Sequence, residues 1–448
     1  MENQKRRSET APDASAKAND DDEWVSTDDA IEGALGLDDD PSKLNSDNWF
    51  EPTAPLMEAS TYHSETTQLQ QDTEEVVIES YNEHPSMEFL YERHVQYVSL
   101  CLTRPMPSAY TMLDANHSWM VYWLVNSFHV IKHRDSELSK ELAPDDDVIA
   151  NATEAWINDD GKGGIGGGVG QIGHMASTYA GVLSLVLTRR FDILERIRTG
   201  LYEWVMSLKN PNGSFKMHHN GEADTRSTYC ALVVATLLNI VTDEFLVGVE
   251  AWLDQCQTFE GGFAGVPGTE AHGGYTYCAL ASYFLLHKEP TFKGLDVPNL
   301  TRWLVSRQFQ LEGGLSGRTN KLVDACYSFW VGAAIPLIEI ATKTEQLFNR
   351  YALKSYLLRV AQNSRGGFKD KPGKSVDFYH TNYSLMGLSM CEYLTKLKTD
   401  DANELMAFRF HHEPLADDVH TEATNPVFGL PEVFVSDCRG HFQQLDGH

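Results

Sequence analysis

The stretch GGFAGVPGTEAHGGYTYCALASYFLL, residues 261–286, joins a glycine-rich segment to a long apolar run. Four further segments have the same layout, and in all five an aligned glycine is followed by a tyrosine at a similar distance. The glycines are Gly164, Gly213, Gly262, Gly314 and Gly367, and the tyrosines are Tyr179, Tyr229, Tyr277, Tyr327 and Tyr383. The glycine spacings of 49, 49, 52 and 53 residues predict a structural unit that repeats along the chain.

Each unit is predicted to be a helical hairpin that carries a glycine-rich loop. Tyr277, Leu280, Ala281 and Phe284 follow the i, i+3, i+4, i+7 spacing of a helix, and a second apolar helix precedes each glycine pair. Signals for β-strands are nearly absent. Five such hairpins, with one more from about residue 85 to 140, make about six.

The tyrosine-bearing helices are apolar on more than one face, which favours an inner ring of helices covered by an outer ring. We therefore predict an all-α fold, a closed α–α barrel of about six helical hairpins with the glycine-rich loops at one rim. An open solenoid is the alternative. Because functional side chains concentrate in loops that a rigid scaffold positions, the site is expected at that rim.

Composition sets the chain's ends apart from its middle. Residues 1–75 are rich in acidic and small polar residues and are predicted to be a disordered acidic extension; residues 76–435 form the predicted barrel and residues 436–448 a C-terminal tail. The formal net charge of −28 argues against nucleic acid as a partner. No apolar run is long enough for a membrane span or a secretory signal.

Seven cysteines without CxxC spacing indicate a reducing compartment, and we expect a cytoplasmic protein with no disulfide framework.

The fourth and fifth repeats carry a set of residues that packing alone does not require. Asp324 and Cys326 lie just before the apolar run of the fourth repeat, and His380 occupies the equivalent region of the fifth. Carboxylate, thiolate and imidazole are zinc ligands, and three protein ligands leave the fourth position open, as in catalytic sites. Each residue alone is more often part of a core, so the prediction rests on their equivalent positions in adjacent repeats.

Cations and aromatic residues also recur at this rim. Arg226, His272, Arg318 and Lys321 fall in one register of neighbouring repeats, where together with Tyr327 they could hold a diphosphate. The aromatic residues would line a cavity for a long apolar ligand, or simply fill the core. They are Trp119, Tyr122, Trp123, Tyr275, Trp330, Tyr379 and Tyr383.

Four segments resemble the β subunits of protein prenyltransferases, in particular the farnesyl-transferring kind. They are LDANHSWMVYWL at 113–124, EAHGGYTYCAL at 270–280, RTNKLVDACYSFW at 318–330 and KPGKSVDFYHTNY at 371–383. The resemblance runs from about residue 85 to about residue 430. It implies an α–α barrel that pairs with a prenyltransferase α subunit and transfers farnesyl from farnesyl diphosphate to the cysteine of C-terminal CaaX proteins such as small GTPases.

The resemblance also implies roles for individual residues. Asp324, Cys326 and His380 would bind one Zn²⁺, and Asp370 would contribute to a Mg²⁺ site. His272, Arg318, Lys321 and Tyr327 would act on the diphosphate. The isoprenoid cavity and the acceptor peptide would contact Trp119, Trp123, Arg226, Tyr275, Cys278, Trp330, Tyr379 and Tyr383.

Three alternatives remain at this point. One is a geranylgeranyltransferase β subunit, which shares the glycine repeats. Another is a triterpene cyclase, but the DDD at 145–147 lacks the DxDD spacing that such an enzyme needs. The third is a noncatalytic helical-repeat binding module, which would have no need of the three zinc-ligand residues.

Overall fold

The computed structural model describes residues 64–106, 108–133, 136–399 and 402–447. The helices, in chain order, are α1 (Glu65–Glu83), α2 (Tyr91–Thr103), α3 (His117–Val130), α4 (Ser136–Leu142), α5 (Asp146–Glu154), α6 (Met175–Leu187), α7 (Phe191–Ser207), α8 (Thr225–Leu237), α9 (Asp243–Leu246), α10 (Val249–Gln255), α11 (Gly273–Leu286), α12 (Val297–Val305), α13 (Tyr327–Trp330), α14 (Ala334–Thr342), α15 (Arg350–Tyr356), α16 (Phe378–Glu392) and α17 (Glu432–Leu445). Short 3-10 segments cover Ser108–Asn116, Asp159–Gly161 and Met406–Phe408, and a π turn covers Leu357–Ala361.

Six helical hairpins build the described barrel, as the repeat predicts. The inner ring consists of α3, α6, α8, α11, the broken helix α13–α14, and α16, while α2, α5, α7, α10, α12 and α15 lie outside it. Each inner helix packs on the next, and α16 packs back on α3, where the Asn126 side-chain amide donates to the Asn382 carbonyl oxygen at 2.9 Å. The ring is therefore closed, and the open solenoid is wrong.

The recurrent glycines are explained by how closely each loop lies against the next outer helix. A Cβ on Gly164, whose φ is +70°, would lie 2.7 Å from the ring of Trp204. A Cβ on Gly262 would lie 2.7 Å from the ring of Trp303 in the same way. Any side chain at these positions would push the loop off the tryptophan, so glycine keeps the hairpins tight.

The end of the barrel opposite the glycine loops is filled by a segment from late in the chain, Val427–Gly429, which we call the plug. Tyr229 and Tyr277 donate to the carbonyl of Val427 at 2.7 and 3.0 Å, Tyr179 donates to that of Phe428 at 3.4 Å, and Tyr122 donates to that of Gly429 at 3.0 Å. The repeated tyrosines therefore satisfy carbonyls that would otherwise be buried without partners.

Two members of the predicted tyrosine series, Tyr327 and Tyr383, were aligned wrongly. Tyr179, Tyr229 and Tyr277 each lie five residues after the residue that caps their helix. The equivalent cap in the fourth repeat is Asp324, whose N–H bonds to Leu315 as that of His272 bonds to Phe263. The inward position is thus the buried Phe329, and Tyr327 lies at the rim. Tyr383 lies six residues after Asp377, the cap of its helix, so the inward position of the fifth repeat is Asn382.

A helix crosses each of the two predicted domain boundaries. Residues 1–63 of the predicted acidic extension lie outside the described chain, but residues 65–75 belong to α1, which begins with a capping box at Ser64. Tyr81 of α1 donates to the carbonyl of Glu312 at 2.6 Å, which fixes this helix to the barrel. At the other end, α17 runs through the predicted tail and buries Cys438 and Phe442.

Short strands, which the sequence did not reveal, form three antiparallel pairs in the described chain. They are β1 (Phe368–Lys369) with β2 (Val376–Asp377), β3 (Tyr393–Leu397) with β4 (Phe410–Pro414), and β5 (Thr424–Asn425) with β6 (Leu430–Pro431). The first pair holds the turn at 370–375 beside the rim. Among the residues described, no helix combines the length and the apolar character that a membrane span needs.

Candidate active site

The predicted site residues collect at the amino-terminal ends of the inner helices. Backbone N–H groups of His174, His272 and Asp324 bond to the glycine loops at 3.0–3.1 Å, which fixes where each helix begins. The cap residues of neighbouring inner helices, such as His272 and Asp377, therefore lie at this rim. Because the unit repeats, equivalent positions in neighbouring helices lie side by side, and this brings residues from distant parts of the sequence together.

Asp324, Cys326 and His380 form one compact group. Their potential ligand atoms all lie within 4.8 Å of one another, and Asp324 Oδ1 lies 3.2 Å from His380 Nε2. Two ligands of one tetrahedral zinc, at bonds of about 2.0–2.1 Å, would lie about 3.3 Å apart, so this spacing fits the ion. The donor set of one oxygen, one sulfur and one nitrogen fits zinc as well.

Two of the three groups, Cys326 and His380, hold protons that a metal would have to displace. Burial and the charge of Asp324 raise the pKa of the Cys326 thiol well above its usual range. Burial works to lower the pKa of His380, but hydrogen bonds to the carboxylates of Asp324 and Asp377 outweigh it and raise that pKa to about 9. Metal binding here must therefore release protons.

Asp377 is a residue of this group that the sequence prediction missed. It caps α16, and its Oδ2 lies 2.7 Å from His380 Nδ1. A carboxylate on the far side of a ligand imidazole fixes the ring orientation and leaves Nε2 for the metal. The spacing of three residues before His380 could have indicated this contact.

The predicted diphosphate group lies together at the same rim. His272 Nδ1 accepts the N–H of Gly274 at 3.0 Å, so the ring proton belongs on Nε2, which lies 3.2 Å from the Tyr327 hydroxyl. Burial, followed by the charge of Arg318, lowers the pKa of His272 to about 4. The imidazole is therefore a neutral hydrogen-bond donor at pH 7.

The cations of this rim differ in how they are paired. Arg318 Nη1 donates to Glu270 Oε2 at 3.0 Å, with both side chains about half exposed. Lys321 is exposed, and no acidic side chain of the described residues lies within ion-pair distance of it. Arg318 is therefore partly neutralised by Glu270, whereas Lys321 has no such partner among the described residues.

Arg226 is held by two neighbours. Asp224, the cap of α8, accepts from its guanidinium at 2.6 and 3.1 Å, and the guanidinium carbon lies 5.4 Å from the centre of the Tyr275 ring. Cys278, also a predicted lining residue, is buried, and burial raises the pKa of its thiol well above the usual range. It contributes an apolar surface rather than a nucleophile.

Aromatic side chains line the inside of the barrel below these groups. The ring centre of Trp119 lies 5.5 Å from Trp123 and 5.6 Å from Tyr179. Across the closing seam, Trp123 contacts Tyr379 at 5.5 Å. The Trp330 indole donates to the Tyr379 hydroxyl at 2.9 Å, and its ring lies 4.4 Å from that of Tyr383. Six of the seven predicted aromatic residues, including Tyr122 beside Trp119, thus contact one another inside the barrel. The seventh, Tyr275, lies beside Arg226.

Asp370 lies at the turn between β1 and β2. Its carbonyl accepts from the backbone N–H of Ala325 and from the Tyr356 hydroxyl, each at 3.0 Å, so the turn is tied to the loop that carries Cys326. Burial and the charge of Asp324 raise the pKa of its carboxyl group. The side chain pairs with Lys371.

Known proteins of similar sequence identify the family to which this chain belongs. Residues 89–430 match the prenyltransferase alpha-alpha toroid domain. The protein farnesyltransferase subunit beta of Schizosaccharomyces pombe is 40% identical over 75% of this chain and 87% of its own length. That of Saccharomyces cerevisiae is 39% identical over 84% of this chain and 86% of its own length. This chain belongs to the protein farnesyltransferase β subunits.

Geranylgeranyltransferase β subunits, one of the alternatives that the sequence left open, are more distant relatives. The geranylgeranyl transferase type-1 subunit beta of Arabidopsis thaliana is 29% identical over 69% of this chain and 86% of its own length. A structure of Candida albicans protein geranylgeranyltransferase-I complexed with GGPP covers 79% of this chain and 99% of its own, with a TM-score of 0.60 and 20% identity, and supports the barrel fold alone. The protein is a prenyltransferase subunit with the catalytic function of farnesyltransferase β subunits, as the sequence predicted.

Proposed function

We propose that this β subunit transfers the farnesyl group of farnesyl diphosphate to the cysteine thiol of a protein that ends in a CaaX sequence. The supporting observation is the convergence of Asp324, Cys326 and His380 at the rim that carries the cations, next to the aromatic side chains of the barrel interior. Such a site can hold a thiol, a diphosphate and a long apolar chain at once. A noncatalytic repeat module would have no use for this combination.

The metal proposed for the three-residue group is one Zn²⁺. Zinc held by three protein ligands supplies an open position for the acceptor thiol and lowers the pKa of that thiol from about 8.5. Asp377 keeps the imidazole of His380 in the orientation that this requires. Burial of Cys326 excludes water from one side of the group.

The rim residues are proposed to act on the leaving group. The acceptor sulfur forms a bond to the first farnesyl carbon as the bond from that carbon to the diphosphate oxygen breaks, and the thiol proton passes to solvent. Negative charge then grows on the diphosphate. Arg318 and Lys321 would neutralise it, while His272 and Tyr327 would donate hydrogen bonds. Asp370 would hold a Mg²⁺ that also binds the diphosphate, because this ion typically uses one or two carboxylates together with substrate phosphates.

The aromatic interior is proposed to hold the isoprenoid and the end of the acceptor peptide. Trp119, Trp123, Tyr379, Tyr383 and Trp330 provide apolar walls, while Arg226, Tyr275 and Cys278 border the cavity on the side of the cations. Trp119 reaches toward Tyr179 of the next helix and narrows the interior. We infer that this bulk sets the length of the chain that fits.

The proposed partners are a prenyltransferase α subunit and CaaX proteins such as small GTPases. The relatives are named as β subunits, which implies a second subunit. We propose a cytoplasmic location, because all seven cysteines are free thiols.

The test is a transfer assay on the heterodimer with a CaaX peptide, combined with metal analysis. We expect near-stoichiometric zinc and a higher kcat/KM for farnesyl than for geranylgeranyl diphosphate. A heterodimer without zinc, or a preference for the longer donor, would contradict the proposal.

Donor length has its own test at Trp119. Replacing a large side chain at the end of a cavity relieves overpacking, which costs about 1–3 kcal/mol, so Trp119→Thr should shift the donor ratio about 5- to 150-fold toward geranylgeranyl. The measurement is kcat/KM for both donors on one peptide. An unchanged ratio in a folded, zinc-loaded variant would mean that Trp119 does not determine the length of the isoprenoid donor.

A further inference from the structure

Asp370 and Lys371 form a close ion pair between neighbouring residues. Lys371 Nζ lies 2.5 Å from Asp370 Oδ1 and 2.6 Å from Oδ2, so one ammonium contacts both carboxylate oxygens. Only 14% of the Lys371 side chain and 16% of the Asp370 side chain are exposed. The pair is thus shielded from water and from salt, unlike the half-exposed pair of Arg318 and Glu270.

The surroundings explain why a cation is needed here. Asp370 is largely buried, and its backbone is bonded to Ala325, the residue after the second carboxylate, Asp324. Two backbone-carbonyl contacts, from Ala325 and Tyr356, prevent the turn from moving Asp370 away. Because Asp370 cannot move away, a nearby positive charge is needed to neutralise its carboxylate.

Mg²⁺ held by Asp370 would bind the same carboxylate. An ion at the carboxylate and an ammonium at 2.5–2.6 Å from it cannot share that position, because the two positive charges would repel at contact distance. Lys371 sits on a flexible four-carbon stem and can swing away, whereas Asp370 cannot. Metal entry is therefore an exchange of one cation for another.

We propose that Lys371 is a built-in competitor of magnesium at Asp370 and so sets the magnesium concentration that this site requires. The inference rests on the proposed role of Asp370 as a magnesium ligand. Lys371 is a positioning residue in this account, since it acts on the substrate only through Asp370.

The test measures metal binding without turnover. The zinc-loaded heterodimer is saturated with farnesyl diphosphate in the absence of peptide, and Mn²⁺ serves as the probe, with unbound Mn²⁺ counted by its EPR signal. Lys371→Gln should lower the Kd for Mn²⁺ about 5- to 10-fold, the effect of removing one shielded ion pair. Lys371→Arg, which keeps the charge, should bind within about twofold of the wild type.

A matched control removes the same charge from the same turn. Lys374 is exposed and lies three residues further on, so Lys374→Gln should change the Kd by less than about twofold. An unchanged or raised Kd in Lys371→Gln would overturn the inference, as would an equal drop in Lys374→Gln. Equal Mn²⁺ binding by wild type and Asp370→Asn would instead show that Asp370 is no ligand, and the magnesium proposal itself would fail.

Discussion

The two ends of the barrel are built from the same helices but serve opposite purposes. At the rim, the first residues of the inner helices carry charged and polar side chains that differ from repeat to repeat, such as Asp224, His272, Asp324 and Asp377. Five residues further along, tyrosines recur and bond to the plug, where they are almost fully buried. The residue that repeats, tyrosine, therefore lies at the plugged end, and the side chains that vary between repeats lie at the rim.

Along each inner helix, the residues expected to act in chemistry are thus separate from those that stabilise the fold. A hydroxyl that bonds to a buried carbonyl contributes to folding wherever the same geometry recurs, so the same residue serves in three repeats. A metal or diphosphate group needs different donors, so each repeat supplies a different one. Changes at the rim should therefore affect metal and activity, while changes at the plugged end should affect the free energy of unfolding.

The largest expected effect is at Cys326. Cys326→Ala leaves two ligands, which cannot hold zinc tightly, and loss of several kcal/mol of metal-derived stabilisation lowers kcat/KM by about 10³-fold or more. Binding of farnesyl diphosphate should persist, because the cations are separate. Cys391→Ala, at the buried far end of α16, is the control and should keep its zinc. Full zinc occupancy in Cys326→Ala would contradict the view that the rim residues hold the metal.

The next largest effect is at Glu392, at the far end of α16 from the rim. Burial works to raise its pKa, but bonds from His420 and Lys354 outweigh this and lower it from 4.5 to about 2. Glu392→Gln leaves the Lys354 ammonium without its partner and should lower the free energy of unfolding by about 3 kcal/mol at pH 7.

The pH dependence follows from the sign of this shift. A depressed carboxyl pKa contributes stability above pH 4.5, and the contribution is lost as the pH falls toward about 2. The difference between wild type and Glu392→Gln in urea unfolding should therefore shrink between these values. Glu413→Gln, at an exposed pair with Lys396, should unfold like the wild type throughout. A difference that stays constant down to pH 2 would show that the ionised pair is not responsible.

A smaller effect is expected at Asp377, which touches the proposed zinc only through His380. Asp377→Asn should weaken zinc binding about 10- to 100-fold, as removal of such supporting carboxylates does, while Asn still caps the helix. Competition with a zinc chelator measures it. Asp296→Asn, at the cap of α12, makes the same change without a histidine and should leave zinc affinity unchanged. Equal losses in both variants would point to capping rather than to the imidazole.

The smallest effect is at the plug. Tyr229→Phe removes one of the two hydroxyls that donate to the Val427 carbonyl, so the cost should be about 1 kcal/mol and about 1 °C in Tm. Activity per bound zinc should not change. A fall in activity without a change in Tm would mean that the two ends are coupled, contrary to the comparison.

The repeat made the barrel predictable, because its period and its apolar helices are local features of the sequence. The zinc-ligand group was also accessible, since Asp324, Cys326 and His380 depart from the repeat in adjacent units. What escaped prediction depends on contacts between distant segments. Nothing near residues 427–429 indicates that four tyrosines bond to them, and α17 looks like a tail because most of its residues are polar. The tyrosine series was misaligned for the same reason, since only the helix caps show that the fourth and fifth repeats carry Phe329 and Asn382 at the inward position.

The plug has a consequence for how the protein is made. The first inner helix leaves the ribosome some 300 residues before the segment that Tyr122 bonds to, as the separation of 307 residues in that hydrogen bond shows. Until then the growing chain is a curved stack of hairpins with one end open and with tyrosine hydroxyls and apolar faces exposed. Such intermediates aggregate readily and depend on chaperones. A premature stop codon shortly before residue 427 would remove few residues, yet it would leave the tyrosines of four earlier hairpins without the carbonyls they bond to.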